Sequence, residues 1–248
     1  MLNQLRAEVN LALANLRLYW VNNLVGLFVD VVYFYAILVA VRAVVQDALP
    51  NTSSLVLIYA ALHLFLGFYV SIAFILREDA VQGTLEHLAL ARGGLLRQVL
   101  LRAGVLGALA LIQTSLVLTV LLLLTGQRLT FAPWWPLGLI PLVIAAFGLS
   151  LAMGALALYF RQISSFYTLV QFLLIPYFLS FTQWQPYMVY LPLAPTAHAM
   201  RLSLSGQPVP PDVYLVAFLQ GLLLLLLGSF LLLRLYALVR RRGLLGRY

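Results

Sequence analysis

The sequence contains no cysteine, no lysine and few charged residues of any kind. All 15 basic residues are arginine, seven residues are acidic, and charged residues make up 9% of the 248. Without cysteine there can be no disulfide, thiolate nucleophile or cysteine-ligated metal. Without lysine there can be no Schiff base and no phosphate-binding loop of the Gly-Lys-Ser/Thr kind. Hydrophobic residues make up 64% of the chain, whereas a soluble domain is about half apolar, so the composition excludes a water-soluble enzyme.

The apolar residues fall into six stretches, each near the roughly 20 residues that a helix needs to cross a bilayer. They lie at 19–41, 54–76, 99–125, 136–158, 165–182 and 213–236. Before them, residues 1–18 place leucines on one helical face beside a polar flank, which is typical of an amphipathic interface helix. A cleaved signal peptide is the alternative, but Gln4 and Glu8 interrupt the apolar core that it would need. We therefore expect an all-α integral membrane protein, with residues 1–248 forming a single transmembrane domain.

The arginines are divided unevenly between the two sides of such a bundle. If both termini lie on one side, twelve arginines fall on that side and three, Arg42, Arg128 and Arg201, on the other. Basic residues are retained in the cytoplasm, so both termini are predicted to be cytoplasmic. The formal charge of +8 is explained by this topology, and we expect no nucleic-acid partner.

Small residues recur every three or four positions in the fourth stretch, at Ala145, Gly148, Ala152 and Ala155. Residues of this size allow helix backbones to approach each other closely. The pattern predicts tight packing of this stretch against another helix, and an interface that moves is the alternative.

The connection at 77–98 carries three of the seven acidic residues on the arginine-rich side. Thr84 is a suitable N-cap and Gly93 a suitable C-terminal stop, which predicts a short helix from Leu85 to Ala91. A capped helix that projects from two membrane helices can dock into a groove of a soluble partner, and a solvated turn is the alternative. The candidate docking residues are Glu78, Asp79, Gly83, Thr84, Leu85, Glu86 and Leu88.

Glu78-Asp79 followed by Gly83-Thr84-Leu85-Glu86 and Leu88 resembles the cytoplasmic motif of the ABC type-2 export permeases. The order of an interface helix, six spans and a long second-to-third connection is similar to that family over essentially the whole chain. The proline-led stretch from Leu191 to Arg201 is also similar, although Ala194 stands where the family often has asparagine.

The resemblance implies that 77–98 is a coupling segment that contacts ATPase subunits. It also implies that 183–212 is an extracytoplasmic re-entrant connection whose Pro195, His198 and Arg201 form an outer gate. Two ATPase subunits and a second permease copy, in a homodimer or a heterodimer, are the implied partners, in the cytoplasmic (inner) membrane of a bacterium. The chain itself is then not an enzyme and holds no catalytic residue or cofactor, because ATP and Mg²⁺ are bound by the partner chain.

Polar residues inside the apolar stretches are few. Asp30 lies midway along the first stretch, where a carboxylate costs about 2.5–3.5 kcal/mol on insertion scales, so it should face the bundle interior, water or a partner. Asp30, Tyr33 and Gln171 are the candidates for a substrate pathway, and a structural hydrogen bond is the alternative for Asp30. His63 is most simply a packing residue. No pair of histidines has metal-ligand spacing, so no metal site is expected.

Three functions are compatible with these observations. The first is the permease subunit of an ATP-driven exporter, which moves a lipid, a drug-like molecule or a glycan out of the cytoplasm. The second is a membrane scaffold that transports nothing. The third is an intramembrane enzyme that uses Asp30 and His63, for which a nucleophile or a metal would have to converge with them at one depth.

Overall fold

The computed structural model describes residues 2–44, 52–69, 71–81, 83, 94–127, 135–160, 164–181 and 184–241. Within these ranges the chain is helical apart from short turns and contains no β-strand, which confirms the all-α fold class. The α-helices are α1 (Leu2–Leu18), α2 (Trp20–Val44), α3 (Thr52–Tyr69), α4 (Ser71–Val81), α5 (Gly94–Thr125), α6 (Trp135–Phe160), α7 (Ser164–Ser180), α8 (Ala194–Leu204) and α9 (Pro211–Arg241), and a 3₁₀ helix covers Pro186–Tyr190.

Five helical segments of the described chain are long and apolar enough to cross a membrane. They are Trp20–Ala40, Thr52–Leu76, Arg97–Thr125, Trp135–Phe160 and Pro211–Arg241, and they match five of the six predicted stretches. The stretch predicted at 165–182 corresponds to α7, an apolar helix of 17 residues. The structure thus confirms a multi-pass helical membrane protein, and the count of six spans stays a prediction.

The N-terminal helix leads directly into the first span. Only Tyr19 separates α1 from α2, and the Tyr19 backbone N–H donates to the Asn15 carbonyl at 2.9 Å while the Asn23 N–H donates to the Tyr19 carbonyl at 3.0 Å. These are the i→i−4 bonds of an α-helix. The predicted end of the first helix at residue 18 coincides with the end of α1, and Tyr19 alone separates the two helices.

The helix α3 forms the centre of the bundle. Twelve of its 18 residues are buried, as expected for a helix that is apolar on every side. Its Phe65 packs against Phe178 of α7 with ring centroids 5.4 Å apart, and its Phe68 packs against Phe147 of α6 at 5.1 Å. The surrounding helices are thereby held around one apolar core.

The directions of the helices define two ends of the bundle. Ser71 of α4 lies against Ser150 of α6, and a Cβ on Gly154 would meet Leu76, so α4 and α6 run in the same direction. α9 runs in the same direction as α6, because Gly221 lies against Pro141 and Gly228 against Gly148. The arginine-bearing end of α9 therefore lies at the same end of the bundle as Asp79 and Arg102, and we call this end the basic end. The opposite end holds the start of α6 and all of α8, and we call it the fold-back end.

Glycines bring α6 and α9 into backbone contact. A Cβ on Gly228 would lie 2.0 Å from the carbonyl oxygen of Gly148, and a Cβ on Gly148 would lie 2.4 Å from the backbone of Leu224. Farther along the same seam, Gly221 lies against the carbonyl oxygen of Pro141. The close packing predicted for the fourth stretch is therefore confirmed, and its partner is the last helix.

We expect Gly228→Ala to destabilise the bundle, because its methyl group would meet backbone atoms that cannot rotate away. Overpacking of this kind costs roughly 1–3 kcal/mol, and thermal unfolding of the detergent-solubilised protein measures it. Gly104→Ala on α5 is the matched control, since a Cβ there has nothing within 4 Å. Equal melting temperatures for the two variants would contradict the backbone contact.

Candidate functional site

A polar network joins three helices at the middle of the bundle. The His63 Nε2 of α3 lies 3.1 Å from the Asp30 Oδ2 of α2, and the His63 Nδ1 lies 2.8 Å from the Thr114 Oγ1 of α5. All three residues lie near the midpoints of apolar segments, so they share one depth. The side chains of Asp30 and His63 are 28% and 15% exposed. The carboxylate thus faces neighbouring helices, as its insertion cost predicts.

Two more groups donate to Asp30. The Gln113 Nε2 lies 3.5 Å from the Asp30 Oδ2, and the Tyr59 hydroxyl donates to the Asp30 backbone carbonyl at 2.7 Å. An ionised carboxylate only accepts, so the His63 Nε2 donates to Asp30, whereas the Thr114 hydroxyl can either donate to the His63 Nδ1 or accept from it. Both ring nitrogens of His63 therefore have partners within the network.

The other two pathway candidates lie apart from this network. Tyr33 shares α2 with Asp30 but has an exposed side chain, and Gln171 is exposed on α7. From the sequence alone, Gln113 and Thr114 could form hydrogen bonds between helices or line a path, and His63 is most simply a packing residue. The signal that could have singled out these residues is their common depth within the apolar stretches.

A second group of charged residues lies at the basic end. The Arg102 Nη1 of α5 donates to both carboxylate oxygens of Asp79 at 2.8 Å, and its Nε donates to the Glu8 Oε2 of α1 at 3.3 Å. The Asp79 side chain is only 4% exposed, against 27% for Arg102 and 22% for Glu8. We call these three residues the Arg102 cluster. Charge-assisted bonds of this kind are stronger than neutral ones, and here they tie α4, α5 and α1 together.

The predicted coupling residues have different outcomes. Asp79 is buried against Arg102, and Glu78 lies in α4, which extends to Val81. Gly83 has a φ of +70°, the left-handed region that glycine favours after a helix. The remaining coupling residues, Thr84, Leu85, Glu86 and Leu88, lie outside the described residues, as does the predicted helix from Leu85 to Ala91.

The predicted outer-gate residues Pro195, His198 and Arg201 lie in α8, and His198 contacts both Arg201 and Trp184. The Trp184 ring stacks on the His198 ring with centroids 3.9 Å apart and planes 5° apart, and the Arg201 Nη2 donates to the His198 Nδ1 at 3.0 Å. Burial and then the Arg201 cation lower the pKa of His198 to about 4, so its ring is neutral at physiological pH. Pro195 is buried in the first turn of α8, where its missing N–H costs no helix bond.

A strained turn holds α8 in place. Leu193 has a φ of +66° immediately before α8, a conformation that costs a residue other than glycine about 1–3 kcal/mol. The Tyr177 hydroxyl of α7 donates to the Pro192 carbonyl, and the Thr196 hydroxyl donates to the Leu193 carbonyl at 2.6 Å. Bonds from two helices therefore support the turn where the chain folds back.

Within the described ranges, no group of three histidine, aspartate or glutamate side chains is placed to hold a metal ion. The contacts at the three sites are ion pairs, hydrogen bonds and ring stacking. The Asp30 network lies at mid-depth, the Arg102 cluster at the basic end and the Trp184–His198–Arg201 contact at the fold-back end.

We expect Asp79→Asn to destabilise the protein more than Glu8→Gln does. Asp79 is buried and accepts two bonds from Arg102, so its loss should cost about 1.5–3 kcal/mol, whereas a half-exposed pair such as Glu8–Arg102 is worth at most about 1 kcal/mol. Chemical unfolding of both variants and of the double variant measures the coupling. A larger loss for Glu8→Gln would contradict the geometry of the cluster.

Comparison with known proteins adds no assignment, since no protein-family model matches the chain and no curated protein matches it either.

Proposed function

We propose that the chain is the transmembrane permease subunit of an ATP-driven exporter of the ABC type-2 kind. The observation that carries the proposal is the Arg102 cluster. It joins α1 to α4 and α5, the two helices that flank the acidic segment resembling the coupling motif of those permeases. A force applied to that segment is thereby transmitted to three helices at once.

The helix α5 provides a route from this end into the bundle. It carries Arg102 near the basic end and Thr114 at mid-depth, where Thr114 contacts His63. A rigid helix couples the motions of groups along its length. Displacement of α5 by a docked ATPase would therefore change the contacts around Asp30, which makes the Asp30 network the proposed gate of the substrate pathway.

The proposal requires both termini on the cytoplasmic side, and hence six spans. The helix α7 would bring the number of spans to six, as a short fifth span in chain order. Its 17 residues rise about 26 Å, close to the roughly 30 Å of the hydrocarbon core. The Tyr167 hydroxyl near its start donates to the Met153 carbonyl of α6, and Tyr177 near its end bonds to the fold-back turn. These contacts support a helix that extends from the basic end to the fold-back end.

In this proposal ATP and Mg²⁺ are bound by two separate ATPase subunits, and a second permease copy, identical or related, completes the pathway in the bacterial inner membrane. The substrate is a lipid, a drug-like molecule or a glycan. The scaffold alternative assigns no role to the acidic segment that resembles a coupling motif. The enzyme alternative would use the Thr114 hydroxyl, which is bonded to His63, as a nucleophile, and it also leaves the acidic segment without a role.

We expect Leu85→Asp combined with Leu88→Asp to abolish association with the ATPase and export while the helices remain inserted. The tagged chain is purified from its native host, and its stoichiometric partner is tested for ATP hydrolysis that depends on the permease. Ala89→Ser, on the same predicted helix, is the matched control. If the double variant still copurifies with an active ATPase and exports normally, the coupling role is wrong.

We expect Asp30→Leu to reduce export strongly, because it leaves the donors His63 and Gln113 without their shared acceptor. Asp30→Asn keeps an acceptor but removes the charge, so it separates the two roles of the carboxylate. Export by the reconstituted complex is measured at matched expression, with the substrate identified by mass spectrometry of the purified complex. Wild-type rates in both variants would exclude Asp30 from the pathway.

A further inference from the structure

A cavity of about 670 Å³ lies beside the Asp30 network and extends toward the fold-back end. Its walls come from α3, α5, α6 and α8, and one face of α5 supplies most of the lining. That face runs from Leu111 through Ser115 and Thr119 to Gln127 just beyond the end of the helix. None of the residues predicted from the sequence to form a substrate pathway lines this cavity.

The cavity is elongated along α5. The distance from Leu111 to Gln127 is about 24 Å at the rise of an α-helix. One leaflet contributes about 15 Å of hydrocarbon thickness, so the cavity is long enough to hold an extended hydrocarbon chain that enters from one leaflet.

The walls present little polar chemistry to a ligand. The Ser115 and Thr119 hydroxyls donate to carbonyls of their own helix, at Leu111 and Ser115 respectively, both at 2.8 Å. The Thr114 hydroxyl is bonded to His63 at 2.8 Å. The many hydroxyl groups of a sugar would lose their hydrogen bonds to water without finding partners here. A polymethylene chain requires no hydrogen-bond partners.

Two larger polar side chains lie at the fold-back end of the cavity. Gln127 and Trp135 line that end, and both are uncharged. Tryptophan at the boundary of an apolar segment is typical of the membrane interface, where its ring is apolar and its N–H is polar. A head group at this end would meet an amide and an indole, while its chain extended inward toward Thr114.

We infer that this cavity binds one hydrocarbon chain of an amphiphile, with the polar head group at Gln127 and Trp135 and the chain end near Thr114. That this cavity is a substrate site rests on the proposed function. Among the substrates proposed there, the cavity favours a lipid-like molecule over a glycan. The binding itself requires only the permease chain, so it is tested without the ATPase.

Palmitic acid that carries a photoactivatable diazirine is the probe, in two forms with the diazirine near the carboxyl group or near the methyl end. The purified chain in nanodiscs is irradiated with each form, and the labelled residues are mapped by mass spectrometry. The carboxyl-end probe should label Gln127 and Trp135, and the methyl-end probe should label Leu64 and Leu111. The reverse pattern, or equal labelling by both forms, would overturn the orientation.

Thr119→Trp tests the cavity itself, because an indole at this exposed lining position occupies space that a bound hydrocarbon chain would need. We expect at least a fivefold loss of labelling. Leu116→Trp is the matched control, since Leu116 is also exposed on α5 but does not line the cavity. If Thr119→Trp is labelled as strongly as the wild type, the probe reports lipid around the bundle and the inference is wrong.

Two further arms separate the possible outcomes. An excess of unlabelled palmitate should remove the labelling, whereas maltoheptaose should leave it unchanged, and competition by the sugar would favour a glycan site. ATPase association of Thr119→Trp is measured in parallel and should be unaffected. If Thr119→Trp loses labelling and export but retains ATPase association, the amphiphile bound in the cavity is the substrate. If Thr119→Trp loses labelling but still exports, the bound amphiphile is a bilayer lipid, and only the substrate assignment is refuted.

Discussion

Charged and polar groups at membrane depth must find their partners on other helices, because the hydrocarbon core offers no water. This constraint accounts for how α1 to α5 are placed relative to one another. Asp30 on α2 meets His63 on α3 and Gln113 on α5, and Arg102 collects carboxylates from α4 and α1. Leucine side chains pack equally well against lipid and against each other. The polar contacts therefore select which helices are neighbours and at what register they pack.

The fold class and most of the helices could be predicted from the sequence, since composition and apolar length are local properties. The stretch at 165–182 is harder to assign as a membrane span, because α7 has only 17 residues in the structure. Polar pairing was less predictable still, since Asp30 and His63 are 33 residues apart and their contact depends on how the helices pack. Arg102 was recognisable in principle as a charge inside the predicted stretch 99–125, yet nothing local identifies Asp79 or Glu8 as its partners.

The helix α5 links the described sites because of its length. Its 32 residues include the arginine of the Arg102 cluster and two members of the Asp30 network, and they form one wall of the elongated cavity. Arg102 and Thr114 both have partners on helices other than α5, so any axial shift of α5 changes both sets of contacts. A displacement of α5 at the basic end would thus alter the contacts at mid-depth through the helix itself, without a series of intermediate side chains.

The contact between Gly148 and Gly228 has a different consequence. Where two backbones touch directly, no side chain is present whose rotamer can change, so the two helices have a single way of fitting together. If the bundle changes conformation as the proposed function requires, α6 and α9 are the pair expected to stay together while the remaining helices move.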